Sequence, residues 1–231
     1  MLFLVATPIG HPGDISYRAV ELLRSCNYIL SEDTRRTRRL LDRYQIATSL
    51  VSYHDHNEQQ KLPRILDDLR QGQQIALVSD GGLPLLSDPG YPLVRACKAE
   101  GIPFTALPGP CAAMNGLLLS GLPTHRFQFV GFLPRKGGKR QKLLEEIVGY
   151  VATTICYEAP HRLLQLLEEL LPYEGRLQLA IAREMTKQHE QVLSGTPKEL
   201  LAHFQLCAPR GEIVVLFHPL MASTKGRTPT L

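Results

Sequence analysis

Residues 79–90 have the composition of a ligand-binding loop. Its two aspartates, Asp80 and Asp88, can accept hydrogen bonds from amino or hydroxyl groups, and its three glycines let a ligand approach the backbone closely. The loop follows the apolar run 75–78, which predicts a buried strand, and it precedes a predicted helix. Ligands of open α/β sheets bind where strands end. The loop is therefore predicted to bind a ligand, and a well-capped surface loop is the alternative.

Five arginines within residues 35–43 form a second candidate surface. They follow Glu32 and Asp33, whose charges suit the positive end of a helix. Guanidinium groups match phosphate oxygens well, so this predicted helix is interpreted as facing RNA. A solvated helix face is the alternative.

Three other polar segments could contribute to a site. The segment 53–58 contains His54 and His56, but two ligands do not make a zinc site, so a polar loop is expected and a metal is not. The segment 133–142 holds five basic residues around two glycines, which predicts a mobile, phosphate-seeking loop or a solvated one. The segments 157–162 and 182–187 place ionisable residues at the ends of predicted strands.

Composition places the chain among ordinary globular proteins. It has 231 residues, 44% of them hydrophobic and 21% charged, with 26 basic against 22 acidic residues and a net charge of +4. This balance permits nucleic-acid binding without requiring it. The five cysteines are widely spaced, which indicates reduced thiols in a cytoplasmic protein. We expect neither a membrane span nor a signal peptide, because no apolar run reaches about 18 residues.

Strand-like and helix-like runs alternate along the first half of the chain, which predicts a mostly parallel sheet. A Pro-Gly-Pro sequence at 108–110 interrupts this pattern, and a different order of strands and helices follows it. We therefore expect an α/β fold of two α/β domains, residues 1–108 and 109–219, with a cleft between them. A flexible tail is expected at 220–231.

Taken together, these motifs resemble the tetrapyrrole-methylase superfamily. Within it, the chain is similar to the bacterial enzymes that methylate the ribose 2′-oxygen of a cytidine in 16S ribosomal RNA. The motifs that carry the resemblance lie at 5–10, 31–35, 53–58, 79–90, 107–110, 131–136, 157–158, 161–162 and 182–187.

The resemblance implies S-adenosylmethionine as cofactor, a homodimer, and the 16S RNA of the 30S ribosomal subunit as partner. It implies no membrane as partner. It also implies no DNA, because recognition of a 2′-hydroxyl separates RNA from DNA. By position, it places the cofactor against Pro8, Ser79, Asp80, Gly81, Gly82, Leu83, Leu86, Cys111, Ala112, Glu158 and Gly211.

The expected chemistry is in-line transfer of a methyl group to a ribose hydroxyl. Such a hydroxyl is a poor nucleophile, so a nearby base or charge stabiliser should help. The candidates are Asp33, His54, Glu184 and Lys187, and Arg35 would orient the ribose phosphate. Asp33 is the first choice as base, because it follows a strand and opens the arginine helix.

Two other functions stay open at this point. One is a small-molecule methylase acting on a tetrapyrrole, which the arginine-rich helix disfavours because a planar macrocycle needs an apolar slot. The other is a non-catalytic RNA-binding homologue. Two departures from the family pattern keep it open: Leu83 stands where the family usually has threonine, and no counterpart of a small C-terminal helical region is evident.

Overall fold

The computed structural model describes residues 1–220, so the predicted tail lies almost wholly outside the described residues. The chain divides into two compact units, the first spanning Met1–Ala112 and the second beginning at Ala113. Both units are α/β, as predicted.

The first unit contains one five-stranded sheet whose strands are all parallel, which confirms the prediction. The strands lie in the order β3-β2-β4-β1-β5. Their bounds are β1 (Leu2–Val5), β2 (Tyr28–Ser31), β3 (Leu50–Ser52), β4 (Ile75–Val78) and β5 (Phe104–Leu107), and the helices between them are α1 (Tyr17–Ser25), α2 (Thr34–Arg43), α3 (Glu58–Arg70) and α4 (Tyr91–Ala99).

Helices cover both faces of this sheet. Leu23 of α1 and Leu41 of α2 belong to a buried cluster on one face, whereas Leu66 of α3 and Leu93 of α4 belong to the cluster on the other. The chain therefore leaves β1 toward one edge of the sheet and leaves the neighbouring β4 toward the other edge. A ligand crevice is expected beyond the carboxyl ends of two such strands, which here are followed by Thr7 and by the loop 79–90.

The second unit contains a mixed sheet in the order β6-β7-β10-β8-β9. Only β6 and β7 pair in parallel, and the other pairs are antiparallel. The elements are α5 (Ala112–Leu119), β6 (Phe127–Phe132), α6 (Gly138–Gly149), β7 (Thr153–Glu158), α7 (Pro160–Leu170), β8 (Leu177–Arg183), β9 (Gln191–Gly195), α8 (Pro197–Leu206) and β10 (Ile213–Pro219).

The prediction of a loop throughout 133–142 is wrong. Helix α6 begins at Gly138, and the Arg140 side chain within it is only 2% exposed. Leu144 and Ile147 form the buried face of this helix. These apolar residues have helical spacing, but the basic residues before them gave no indication of where the helix begins.

The described residues contain neither a disulfide nor a cluster suited to a metal. All five cysteines are free, and only Cys207 is exposed. Among residues 1–220, no group of three or more His, Cys, Asp or Glu side chains could hold a metal ion. None of the helices in this part of the chain is long and apolar enough to cross a membrane.

Candidate functional site

Thr7, two residues after the end of β1, is hydrogen-bonded to the loop that follows β4. The backbones of Thr7 and Gly82 exchange two hydrogen bonds of 2.9 Å. The Thr7 hydroxyl also donates to the Ser79 carbonyl, and the Ser79 hydroxyl donates to the Gly82 carbonyl, both at 3.0 Å. These bonds fix the first residues of the loop 79–90 beside Pro8.

The backbone of this loop adopts unusual conformations. Gly82 and Gly90 have φ angles of 92° and 120°, which glycine adopts without a steric penalty. Leu85 and Ser87 have φ angles of 73° and 69° although neither is glycine. Such conformations cost about 1–3 kcal/mol each and cluster at functional sites. The loop is therefore held in a shape that its own sequence does not favour.

Gly81 leaves the backbone open next to Pro8. A Cβ atom at Gly81 would lie 3.5 Å from the Pro8 carbonyl oxygen, so even a methyl group would occupy the space above this backbone. Gly81 and Leu86 are exposed, and Pro8 and Leu83 are half-buried. An open glycine backbone beside apolar side chains fits a flat, partly apolar ligand such as a nucleoside.

The turn that carries Cys111 packs against the same place. A Cβ atom at Gly109 would lie 2.6 Å from Ala6 Cβ, and one at Gly82 would lie 3.7 Å from the Pro110 carbonyl oxygen. Cys111 and Ala112 follow this turn, and Cys111 is 7% exposed. The structure thus brings Pro8, the loop 79–90 and the Cys111 turn together within the first unit.

Acidic side chains also lie near the carboxyl edge of this sheet. Burial raises the pKa of Asp88 to about 7, and the nearby carboxylates of Glu32, Asp80 and Asp55 contribute to the rise. Desolvation and the charges of Asp80 and Asp55 raise the pKa of Glu32 as well. Sequence reasoning did not select Asp88 as a titrating group, because its neighbours come from other loops.

Asp33 is an N-cap residue. Its carboxylate accepts hydrogen bonds from the backbone N–H groups of Arg35 and Arg36 at 2.9 and 3.3 Å, and its own N–H donates to Asp80 at 3.1 Å. Hydrogen bonds from the Arg35 side chain and backbone lower the pKa of Asp33. A carboxylate with a lowered pKa is a weak base, so the arrangement favours capping over proton abstraction.

Four of the five arginines of the predicted RNA-facing surface are exposed. These are Arg35, Arg36, Arg39 and Arg43, and the Arg35 side chain is 88% exposed. Arg38 instead donates to the carbonyls of Ile46 and Thr48 at 3.5 and 3.2 Å, which holds the end of α2 to the following loop. The exposed set forms a positive surface on one helix.

His54 lies in a polar loop, as predicted. Its Nε2 lies 2.9 Å from the Asn57 side-chain nitrogen, which can only donate, so Nε2 accepts and Nδ1 carries the proton in the neutral ring. Nδ1 is buried and has no hydrogen-bond partner in the described part of the chain. His54 therefore holds one buried N–H group that is not paired within this part of the chain.

Glu184 and Lys187 lie in the second unit and form an ion pair. The Lys187 ammonium is 2.7 Å from Glu184 and 3.1 Å from Glu212. Burial alone would lower the pKa of Lys187, but hydrogen bonds to both carboxylates raise it overall, so it stays protonated. Gly211 packs directly on this pair, because a Cβ atom there would lie 2.2 Å from Glu184 Oε1. The pair is better suited to stabilise the chain between β8 and β9 than to accept a proton.

Glu158 is engaged through both carboxylate oxygens. Oε1 accepts the Ala159 N–H at 2.9 Å, and Oε2 lies 3.4 Å from Arg140. Its side chain is fully buried. The Glu158 carboxylate is therefore committed to protein donors.

Residues 1–201 match the family of tetrapyrrole (corrin/porphyrin) methylases. The chain belongs to this family. Several similar proteins carry the name ribosomal RNA small subunit methyltransferase I. The protein from Halalkalibacterium halodurans is 46% identical over 93% of this chain and 74% of its own length. The protein from Thermotoga maritima is 42% identical over 93% of this chain and 96% of its own.

Solved structures show the same tetrapyrrole methylase fold. Diphthine synthase superimposes with a TM-score of 0.74 at 13% identity and covers 94% of this chain and 89% of its own. Uroporphyrin-III C-methyl transferase from Thermus thermophilus, complexed with S-adenyl homocysteine, gives 0.64 at 20% identity and covers 93% of this chain and 96% of its own.

Proposed function

We propose that this member of the tetrapyrrole methylase family transfers a methyl group from S-adenosylmethionine to the 2′-hydroxyl of a cytidine in 16S ribosomal RNA. The observation that carries the proposal is the 42–47% identity, over most of the chain, to proteins named ribosomal RNA small subunit methyltransferase I. The resemblance of the motifs supports the finer statement about the ribose oxygen and the base.

The donor is proposed to bind at the junction of Thr7 and Gly82. S-adenosylmethionine supplies a methyl group on a sulfonium, and the protein has to hold and orient it. The open backbone at Gly81 admits the nucleoside, and Asp80 can accept from its hydroxyl or amino groups. The proposed contacts in the first unit are Pro8, Ser79, Asp80, Gly81, Gly82, Leu83, Leu86, Cys111 and Ala112.

Glu158 and Gly211 are proposed donor contacts on the resemblance alone. The Glu158 carboxylate is already paired with N–H groups of the protein, so any contact of Glu158 with S-adenosylmethionine would come from its main chain. Gly211 has a φ angle of 84° and packs on Glu184, so it too would contribute backbone.

The exposed arginines of α2 are proposed to bind RNA phosphates. Charged side chains on the surface contribute little to folding but strongly to phosphate binding. Arg35 lies beside the Asp33–Asp80 hydrogen bond, where it can orient the phosphate next to the reacting ribose.

Proton transfer is proposed to involve the carboxyl edge of the first sheet. Asp33 caps helix α2, Lys187 is protonated and Glu184 is paired, so these three candidates are poorly placed to accept a proton. His54, whose buried Nδ1 has no partner in the described residues, stays a proposed stabiliser of charge. Asp88, with a pKa of about 7, has the ionisation that suits a general base at neutral pH.

The proposed partner is the 30S ribosomal subunit, and the proposed location is the cytoplasm. A homodimer is part of the proposal on the resemblance alone. A tetrapyrrole methylase with a macrocyclic substrate is the second candidate, because the structural similarity extends to uroporphyrin-III C-methyl transferases. The exposed arginines of α2 favour RNA over a macrocycle.

Incubation with methyl-labelled S-adenosylmethionine separates these functions. The protein should transfer label to the RNA of 30S subunits and not to uroporphyrinogen. Label on the macrocycle would establish the second candidate. Donor binding by calorimetry without transfer to either substrate would indicate a non-catalytic homologue.

A further inference from the structure

Two arginines, one buried and one half-buried, donate hydrogen bonds to the backbone at the start of the basic segment. Residues 133–142, here called the basic arm, begin directly after β6 ends at Phe132. The Arg162 guanidinium donates to the Leu133 and Pro134 carbonyls at 2.8 and 3.1 Å. Arg140 donates to the same Pro134 carbonyl at 3.0 Å. The start of the arm is thus held by three guanidinium hydrogen bonds.

Carboxylates balance the two arginines. Arg140 lies 3.4 Å from Glu158 and 2.7 Å from Glu169, and Arg162 lies 3.2 Å from the other oxygen of Glu158. The Glu158 side chain is fully buried, and those of Arg140 and Arg162 are 2% and 15% exposed. A buried charge is costly unless it is paired, and Glu158 is the carboxylate that both arginines share as an ion-pair partner.

The other cations of the arm point to solvent. Arg135, Lys136, Lys139 and Lys142 are exposed, whereas Arg140 alone among the basic residues of the arm is buried. Gly137, with a φ angle of 86°, turns the backbone into α6 between these cations. The backbone at the start of the arm is therefore fixed, and four positive charges of the arm face solvent.

We propose that Glu158, Arg140 and Arg162 are positioning residues that hold the basic arm in place for binding RNA phosphates. This inference rests on the proposed function, since it assumes an RNA substrate. The guanidinium N–H groups of this network bind the carbonyls of the basic arm. Loss of the network should therefore increase the mobility of the arm more than it disturbs the S-adenosylmethionine site. A fixed cationic surface binds phosphates with less loss of conformational entropy than a mobile one.

The test compares Arg140→Gln and Arg162→Gln with the control Glu168→Gln, which changes an exposed carboxylate of the neighbouring helix α7. Both test variants should raise KM for 30S subunits about tenfold, equivalent to about 1.4 kcal/mol of binding, with kcat nearly unchanged. Calorimetry should give an unchanged Kd for S-adenosylmethionine. The control should match the wild type in all three quantities.

A hydrogen-exchange measurement makes the test independent of the substrate. Amides of residues 135–142 should exchange faster in Arg140→Gln and Arg162→Gln than in the wild type, even if the wild type proves inactive on RNA. Should Arg140→Gln fail to fold because its side chain is buried, Arg162→Gln alone decides, because Arg162 is partly exposed. A folded variant with a weakened donor Kd and an unchanged RNA KM would overturn the proposal, as would unchanged exchange in the arm.

Discussion

The backbone N–H of Asp33 donates a 3.1 Å hydrogen bond to the Asp80 carboxylate. Asp33 begins the arginine helix α2, and Asp80 lies in the glycine loop after β4. This bond joins the surface proposed for RNA to the loop proposed for the donor. The two substrates of a methyl transfer have to meet, and this is the point in the first unit where their proposed sites are connected.

The capping role of Asp33 predicts different effects for two substitutions. Asp33→Ala should lower the melting temperature, because the N–H groups of Arg35 and Arg36 lose their acceptor. Asp33→Asn keeps an acceptor oxygen and should retain both the melting temperature and most of the methyl transfer. Thermal unfolding and initial rates measure this. A folded Asp33→Asn protein that loses about a hundredfold in rate would instead identify Asp33 as the base.

Donor binding should depend on the missing side chain at Gly81. Its φ angle is not in the left-handed region and an added Cβ meets only ordinary contacts, so Gly81→Ala should fold normally. The methyl group should nevertheless occupy the ligand's space and weaken donor binding about tenfold or more, or about 1.4 kcal/mol. Calorimetric titration with S-adenosylmethionine measures it.

The control for this experiment is Gly149→Ala, at a position with open space around it. Gly82 is less suitable for the test, because its φ angle of 92° would strain any other residue. Equal donor affinities in the wild type, Gly81→Ala and Gly149→Ala would remove the loop 79–90 from the donor site.

The exposed arginines should bind phosphate without stabilising the fold. Arg36→Gln combined with Arg39→Gln should weaken RNA binding. The slope of log affinity against log salt concentration should decrease by an amount that corresponds to about two phosphate contacts at most. The melting temperature should stay nearly constant. Fluorescence titrations at several salt concentrations measure the slope.

A matched pair of substitutions on the opposite face of the sheet controls for net charge. Arg95→Gln and Lys98→Gln remove two exposed cations from α4. If this pair weakens RNA binding as much as the α2 pair does, the effect is general electrostatics and α2 has no special role.

The raised pKa of Asp88 predicts a pH-dependent stability. The folded protein retains the proton on Asp88 up to a pH of about 7, whereas an unfolded aspartate releases it near 3.8. The folded state therefore binds more protons in this window, so Asp88 makes stability fall as the pH rises through it. Asp88→Asn removes this loss and should be more stable than the wild type at about pH 8, with the difference shrinking toward about pH 4.

Urea unfolding at several pH values measures the difference between Asp88→Asn and the wild type. A difference that stays constant across this range would show that Asp88 ionises normally in the folded protein. The same variant should slow methyl transfer if Asp88 accepts the ribose proton.

Local sequence patterns predicted the first unit well. Apolar runs bounded by glycine, proline and capping residues located its strands, and Asp33 was correctly expected to begin α2. The strand order depends on which strands pair, and pairing is a long-range property. The proximity of Pro8 to Gly81 could therefore be expected only from the general rule for parallel sheets and from the resemblance.

Local patterns are least informative for residues whose partners lie far away in the sequence. Arg140 was predicted to lie in a phosphate-seeking or solvated loop, yet it pairs with Glu158 and Glu169 on other elements. Lys187 was read as a base candidate, yet Glu212 helps to keep it protonated. Residue type alone does not distinguish a buried, paired charge from an exposed one, because the difference depends on residues that are distant in the sequence.

Mapping of the transferred methyl group tests the central claim most directly. The protein is incubated with methyl-labelled S-adenosylmethionine and 30S subunits, and the 16S RNA is then hydrolysed with alkali. A 2′-O-methyl group blocks alkaline cleavage at its own nucleotide, so the account predicts label in an alkali-resistant dinucleotide that begins with cytidine. Label released as a base-methylated mononucleotide, or no label in 16S RNA, would contradict it.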